Sequence, residues 1–151
     1  MNIDFVRASE DDADDLIAVQ NAAFAVDLQK YGECPAYVYD REVMLKNIRS
    51  TIFYKAMADG VTVGSIEIRK RSDSHYFLRV LSVHPDYHNR GIGSKALQFM
   101  FSEHPEASTW SLVTPKDNKR NCHLYEKAGF RCVEDRVHSD ALTLACYKKE
   151  T

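Results

Sequence analysis

The 151-residue chain lacks several features that define large classes of protein. Its four cysteines form no CxxC pair and no dense framework, which is typical of free thiols in a reducing cytosol. No run of about 18 apolar residues is present, so no membrane-spanning helix is expected. No basic region followed by a long apolar stretch opens the chain, so no signal peptide is predicted. These absences predict a cytoplasmic protein without a membrane partner.

An excess of charge of one sign is also missing. Twenty Lys and Arg residues face 22 Asp and Glu residues, for a net charge of −2, so no global basic field exists to hold nucleic acid. The run Arg69-Lys70-Arg71 is the best candidate for a local nucleic-acid patch, but a solvated strand end explains it better. We therefore expect no nucleic-acid partner. With 44% hydrophobic and 28% charged residues, the chain is typical of one globular domain spanning residues 1–151.

The hydrophobic pattern predicts elements in the order β-α-α-β-β-β-α-β-α-β-β. Ser9, followed by acidic residues, predicts a first helix over about residues 10–24, and residues 27–39 are interpreted as a loop. Asp59-Gly60 between two strand-like runs predicts a hairpin turn and consecutive antiparallel strands. The order indicates an α/β fold with helices on both faces of a central, mostly antiparallel mixed sheet. The predicted strands are 3–7, 51–58, 61–71, 76–83, 108–114, 130–137 and 141–148, and the later helices follow Asp40 and cover 91–103 and 119–128.

One strand-to-helix connection, within residues 83–97, has a pattern typical of anion binding. Without a Cβ, Gly91 and Gly93 let backbone amides approach a bulky anion at the start of a helix. The unpaired amides of a first helical turn also lie at the positive end of the helix dipole, so a phosphate or pyrophosphate is the natural ligand. Arg90 and the hydroxyl of Ser94 add donors. The spacing fits neither a Walker loop nor a three-glycine dinucleotide fingerprint, and a tight connection without a ligand is the alternative.

Two segments resemble the motifs of the GNAT superfamily of acetyl-CoA-dependent N-acetyltransferases. Residues 88–93, which follow a V-x-P at 83–85, are similar to the family's acetyl-CoA motif Q/R-x-x-G-x-G/A, with His88 in place of Gln or Arg. Residues 118–130 are similar to the segment N-x-R-A-x-x-x-Y-E-K-x-G-F, with Asn121 in place of Ala. One predicted strand separates the segments, and the predicted order of elements agrees with the family's mixed-sheet fold.

This resemblance implies where acetyl-CoA would bind. Strands 77–83 and 108–114 would be parallel neighbours that splay apart, and the pantetheine arm would pair with exposed backbone of the first strand. The amides of residues 89–94 would hold the pyrophosphate, and Asn118 would contact the cofactor arm. No metal site is expected. The cofactor-binding residues implied are Leu81, Ser82, Val83, His88, Asn89, Arg90, Gly91, Ile92, Gly93, Ser94 and Asn118.

The resemblance also places Tyr125 beside the thioester sulfur. A phenol with a pKa of about 10 stays protonated at neutral pH and can donate a proton to the departing coenzyme A thiolate. A backbone N–H of the splayed strand can stabilise the carbonyl oxygen as it gains charge. The alternative for Tyr125 is a buried ring that packs a helix against the sheet. The general base is left open among Glu67, His75, Ser82 and His84.

The segment after the first helix borders the acceptor site in this family. Tyr31, Glu33, Tyr37 and Tyr39 lie there, and aromatic faces with a carboxylate suit an alkylammonium, although these tyrosines would equally cover the core edge. We therefore predict direct acetyl transfer from acetyl-CoA to a primary amine. A small molecule is favoured because no appended recognition domain is expected. A protein N-terminal or lysine acetyltransferase and a non-catalytic acyl-CoA sensor are the alternatives, and a homodimer is left open.

Overall fold

Seven strands form one mixed sheet in the computed structural model, which describes residues 1–151. The strands are β1 (Ile3–Arg7), β2 (Ile52–Ala58), β3 (Val61–Lys70), β4 (His75–Val83), β5 (Thr109–Pro115), β6 (Arg131–Ser139) and β7 (Leu142–Glu150), and the helices are α1 (Ala13–Tyr31), α2 (Arg41–Ser50), α3 (Ile92–Glu103) and α4 (Lys119–Lys127), with 3₁₀ turns at Glu10–Asp12 and Pro85–Tyr87. The strand order is β1-β2-β3-β4-β5-β7-β6, and only β4 and β5 are parallel. The predicted fold class and order of elements are confirmed.

The parallel pair opens along its length. Residues 75–77 of β4 pair with residues 109–111 of β5, and no pairs follow, so the β5-facing edge of β4 beyond Phe77 has no strand partner. On its other side β4 stays paired with β3 as far as Val83, with a bulge at Arg79 opposite the step from Glu67 to Ile68. The fold therefore contains the splayed parallel pair that the resemblance implied.

Local sequence signals explain most of the element boundaries. Asp59 and Gly60 both have positive φ, as the two-residue hairpin between β2 and β3 requires. The carboxylate of Asp40 accepts a hydrogen bond from the amide of Glu42 and caps α2. Gly129, which follows the C-cap residue Ala128 of α4, has a positive φ of 101°. These predictions are confirmed.

Helix α1 is longer than predicted. We expected it to end near Phe24, but it continues to Tyr31 and stops at Gly32, which has a φ of 73°. No helix breaker stands between Phe24 and Gly32, and Gly32 is the first residue that favours the left-handed conformation. The extension places Asp27 one turn beyond Phe24 on the same helix face, which decides the shape of the site described below.

Helices cover both faces of the sheet, as predicted. Adjacent residues of a strand point to opposite faces, and on β2 Phe53 packs with Leu16 of α1 and Met44 of α2. Its neighbour Tyr54 belongs to the larger apolar cluster that contains Leu97 of α3. Thus α1 and α2 lie on one face, and α3 lies on the other. No helix has the length and apolar character needed to cross a membrane.

Candidate active site

The connection from β4 to α3 holds a continuous series of backbone amides without a protein acceptor. The amides of residues 89–94 donate to no backbone or side-chain oxygen, and the helical pattern begins with Lys95, whose amide donates to the carbonyl of Gly91 at 3.1 Å. Asn89 and Gly91 have φ values of 62° and 76°. Successive amides in such a turn, at the N-terminus of a helix, form a concave anion site. The loop therefore has the free donors that its two glycines predicted.

His88 ties this loop to the end of β4. Its Nε2 lies 2.8 Å from the carbonyl oxygen of Val83, and its Nδ1 lies 2.9 Å from Nη1 of Arg120. Burial lowers the pKa of His88, and the charge of Arg120 lowers it further. The neutral ring therefore donates its Nε2 proton to Val83 and accepts from Arg120. Both nitrogens are engaged within the protein, so His88 holds the loop in place.

The open edge of β4 offers hydrogen-bonding groups at alternate residues. The amide of His84 donates to the carbonyl of Val63 on β3 at 2.7 Å, so in this part of β4 the even-numbered residues bond to β3. The main-chain groups of Leu81 and Val83 therefore point to the edge that β5 has left. Since the carbonyl of Val83 accepts from His88, the N–H of Val83 and both polar groups of Leu81 remain for an extended ligand.

A groove of about 510 Å³ runs along this edge and along the loop of residues 89–94, which we call the anion loop. Asn118 lines it from the start of α4, where its Oδ1 accepts from the amide of Asn121 at 3.0 Å and leaves its NH₂ group free. Arg90 is the one predicted cofactor residue that does not line the groove, because its exposed guanidinium lies over the ring of Tyr87, 5.2 Å from the centroid. The predicted residues that do line it are Leu81, Ser82, Val83, His88, Asn89, Gly91, Ile92, Gly93, Ser94 and Asn118.

A second cavity of about 280 Å³ adjoins the groove and contains two of the four predicted acceptor residues, Tyr31 and Glu33. The hydroxyl of Tyr31 donates to Asp117. Burial raises the pKa of Tyr31, and the carboxylate of Asp117 raises it further. The carboxylate of Glu33 lies 2.7 Å from Nε2 of His138. We call this the acceptor cavity, because it meets the groove at the unpaired part of β4.

Tyr37 and Tyr39, the other two predicted acceptor residues, lie outside the acceptor cavity. Their rings pack against each other with 5.0 Å between centroids, and Tyr39 is 78% exposed. The residue between them explains this placement. Asn21 of α1 donates to the carbonyl of Val38 and accepts from its amide, and the side chain of Val38 is buried. With Val38 turned inward, the tyrosines on either side of it point away.

The groove and the acceptor cavity share a junction, at which Tyr125 places a hydroxyl that makes no hydrogen bond to the protein. The Tyr125 ring is buried, with its centroid 5.9 Å from that of Phe130. Burial raises the pKa of Tyr125, so the phenol keeps its proton at neutral pH and can donate it at the junction. The residues that line both spaces are Phe24, Asp27, Leu81, Asn121 and Tyr125.

Asp27 is the titratable group at this junction that sequence reasoning missed. It has no ion-pair or hydrogen-bond partner, and burial raises its pKa, with Asp117 adding to the effect and Lys30 opposing it. None of the four bases considered from the sequence lines the acceptor cavity. Each of the four is hydrogen-bonded within the protein. Glu67 accepts from Arg69 and Arg79, and the ring of His84 accepts from the amide of Asp86. His75 is hydrogen-bonded to Ser111, and Ser82 is hydrogen-bonded to Ser65.

This arrangement can be compared with known proteins. Residues 16–130 match the model of the acetyltransferase (GNAT) family, and this segment includes the anion loop, the open edge of β4 and Tyr125. The chain belongs to this family. The match confirms the resemblance found in the sequence, and it assigns the domain to the class of acetyl-CoA-dependent acyltransferases.

One relative of this GNAT domain is much longer than the chain. UPF0157 protein YqkA of Bacillus subtilis (strain 168) is 28% identical over an alignment of 129 residues, and the match covers 76% of this chain and 37% of that protein. The chain thus spans little more than a third of this relative.

Solved structures match over nearly the full chain. The PaiA N-acetyltransferase of Thermoplasma acidophilum, in complex with coenzyme A, superposes with a TM-score of 0.81 and 21% identity, covering 100% of both chains. The ribosomal-protein-S18-alanine N-acetyltransferase of Escherichia coli superposes with a TM-score of 0.81 and 15% identity, covering 99% of this chain and 94% of that one. At these identities the two structures establish that the GNAT fold is shared.

Proposed function

We propose that this GNAT domain transfers the acetyl group of acetyl-CoA directly to a primary amine, with a small-molecule amine favoured as acceptor. One observation supports the proposal above the others. Tyr125 lines both the groove beside the free amides and the acceptor cavity, and its hydroxyl makes no hydrogen bond to the protein. A hydroxyl that the protein leaves unpaired in a binding space is a candidate for chemistry.

The groove fits coenzyme A in three places. The free amides of residues 89–94 suit the pyrophosphate, because they combine an anion-binding turn with a helix N-terminus. The open backbone of Leu81 and Val83 suits the amide groups of the pantetheine arm, which would add to the sheet as a strand does. The free NH₂ of Asn118 adds a donor. When bound, acetyl-CoA supplies the thioester whose acetyl group the amine receives.

The residues at the junction divide the proton transfers between them. Asp27 attracts the acceptor's ammonium group and takes one proton from it, so that the neutral amine can attack the thioester. The second proton, which the nitrogen releases as it is acylated, passes to solvent. An open N–H of the β4 edge donates to the acetyl oxygen as that oxygen gains negative charge. Tyr125 donates its phenolic proton to the departing sulfur and is reprotonated from solvent. No covalent bond to the protein is needed, so both substrates are held at once.

The purified chain tests this proposal through thiol release from acetyl-CoA with a panel of amines that includes small molecules and short peptides. We expect release that requires an amine and initial rates that fit a ternary complex. Turnover of peptides alone would favour the protein acetyltransferase, an activity that the Escherichia coli neighbour has on an alanine of ribosomal protein S18. Coenzyme A binding without turnover of any amine would contradict the proposal and favour the acyl-CoA sensor.

Substitution of Gly91 by alanine should weaken coenzyme A binding by about tenfold, because the left-handed conformation costs an L-residue about 1–2 kcal/mol and the loop will shift to relieve it. Gly60→Ala is a matched control: Gly60 has a φ of 86° against 76° for Gly91, and an added Cβ meets no atom within 4 Å at either position. Both variants should lose similar stability. Isothermal titration with coenzyme A should separate them, and equal affinities would contradict the assignment of the loop.

A further inference from the structure

One wall of the acceptor cavity is built from arginines. Arg69 lies at the end of β3, Arg71 is the first residue after that strand, and Arg79 comes from the bulge of β4. Side chains alternate between the faces of a strand, so Arg69 and Arg71 line the cavity together while Lys70 between them does not. The run that we interpreted as a solvated strand end therefore places two of its three charges on the cavity wall.

Glu67 fixes two of these arginines and leaves the wall positive. Its side chain is fully buried, with one carboxylate oxygen 2.9 Å from Nε of Arg69 and the other 3.1 Å from Nη1 of Arg79. A buried carboxylate needs such partners, and here it orients both guanidinium groups. Arg71 has no carboxylate partner. The carboxylate of Glu67 therefore offsets only one of the charges of Arg69, Arg71 and Arg79.

The arginines keep donors that the protein does not use. Arg69 bonds to Glu67 through Nε, so its two terminal NH₂ groups are free. Arg71 makes no side-chain hydrogen bond, and its guanidinium lies over the ring of Phe77, 4.4 Å from the centroid, which holds it at the cavity wall. Free guanidinium forks of this kind match the oxygens of a carboxylate or a phosphonate.

The acceptor cavity also has carboxylates in its lining, so it presents both positive and negative groups to a ligand. Glu33 lies 2.7 Å from Nε2 of His138, whereas Asp27 at the junction has no side-chain partner. The apolar side chains of the lining, among them Leu144, complete the cavity. A ligand that carries both an ammonium group and an anionic group would pair with both kinds of charge.

We infer that the acceptor is a small amine that also bears an anionic group, a carboxylate or a phosphonate, bound by the free guanidinium groups of Arg69 and Arg71. The inference rests on the proposed function, because it takes the amine to lie at Asp27 and Tyr125. It adds the class of acceptor. Amines without an anion would leave the arginine wall unpaired and would be poor substrates.

Matched triplets of acceptors test the inference: phenylalanine, its phosphonate analogue and phenylalaninamide, with a second triplet built on leucine. An anionic member of a triplet should exceed the neutral amide in kcat/KM by about tenfold or more, since hydrogen bonds to charged groups contribute about 1.5–3 kcal/mol. Whether the carboxylate or the phosphonate is preferred identifies the anion. Arg71→Gln, and Arg69→Lys, which keeps the ion pair with Glu67, should each remove most of that preference.

Lys70→Gln is the matched control, because it removes the same charge from the opposite face of β3 and should leave the preference unchanged. Turnover of amines with no anion preference, or a preference that survives both arginine variants, would overturn the inference while the proposed function stood. If no amine is turned over, isothermal titration can still test the inference, by comparing the binding of N-acetylphenylalanine with that of its amide in the presence of coenzyme A. Tighter binding of the acid that is lost in Arg71→Gln supports the anion site, and equal binding refutes it.

Discussion

Replacing Tyr125 by phenylalanine should lower kcat by about 100-fold while leaving the affinity for coenzyme A nearly unchanged. The substitution removes only the hydroxyl, which makes no hydrogen bond within the protein and lies at the junction of the two binding spaces. The ring contact with Phe130 is kept, so the melting temperature should not fall. Thiol release measures the loss of turnover, and isothermal titration with coenzyme A measures the binding.

Tyr147→Phe is the control for this variant. The ring of Tyr147 lies 6.3 Å from that of Tyr125, but its hydroxyl donates to Glu126 at 2.6 Å and does not line the groove or the acceptor cavity. Its loss should cost about 1 kcal/mol of stability and leave kcat close to the wild-type value. Tyr125→Phe with wild-type turnover would show that the tyrosine only packs α4 against the sheet. An equal loss of kcat and coenzyme A affinity would make it a binding residue.

The half of the site that we propose for the cofactor could be predicted from the sequence because its physics is local. A turn with glycines at 91 and 93 leaves its backbone amides unpaired in any tertiary surroundings. The order of elements along the chain then places this turn at the end of β4. Even the substitution of the usual Gln or Arg by His88 is explained locally, by hydrogen bonds that a neutral imidazole makes to Val83 and Arg120.

The acceptor half depends on long-range packing, which the sequence does not specify. The end of α1 at Gly32 decides whether Asp27 lies on a helix face or in a loop, and the predicted end was about two turns too early. The hydrogen bonds of Asn21 hold Val38 in place, and the tyrosines on either side of it, Tyr37 and Tyr39, do not line the cavity, although both are close to it in sequence.

The arginine wall failed to be recognised for the same reason. A strand end rich in arginine is usually solvated, and only the buried Glu67 and the bulge at Arg79 on the next strand show that Arg69 and Arg71 line a cavity. Interactions between residues distant in sequence decide where these charges lie.

Replacing Asp27 by asparagine should lower kcat by about 100-fold, the range in which loss of a general base falls, and should raise the melting temperature at neutral pH. The two effects have one cause. The carboxylate is half-buried without a partner, so its charge is unfavourable in the folded protein and available for the amine. Asp15→Asn is the control, because Asp15 is exposed in the first turn of the same helix; the change should leave kcat unchanged and should not raise the melting temperature.

The pH dependence of these effects follows from the raised pKa of Asp27, which burial and Asp117 increase and Lys30 opposes. Since the folded protein holds this proton more tightly than the unfolded chain, Asp27 makes stability fall as the pH rises from the unfolded pKa through the folded one. The gain in melting temperature of Asp27→Asn should therefore be absent in acid and grow towards neutral pH. Over the same range, wild-type kcat/KM should rise as Asp27 ionises, and the variant should lose this acidic limb. A variant that kept both the limb and the turnover would show that the proton leaves the amine by another route.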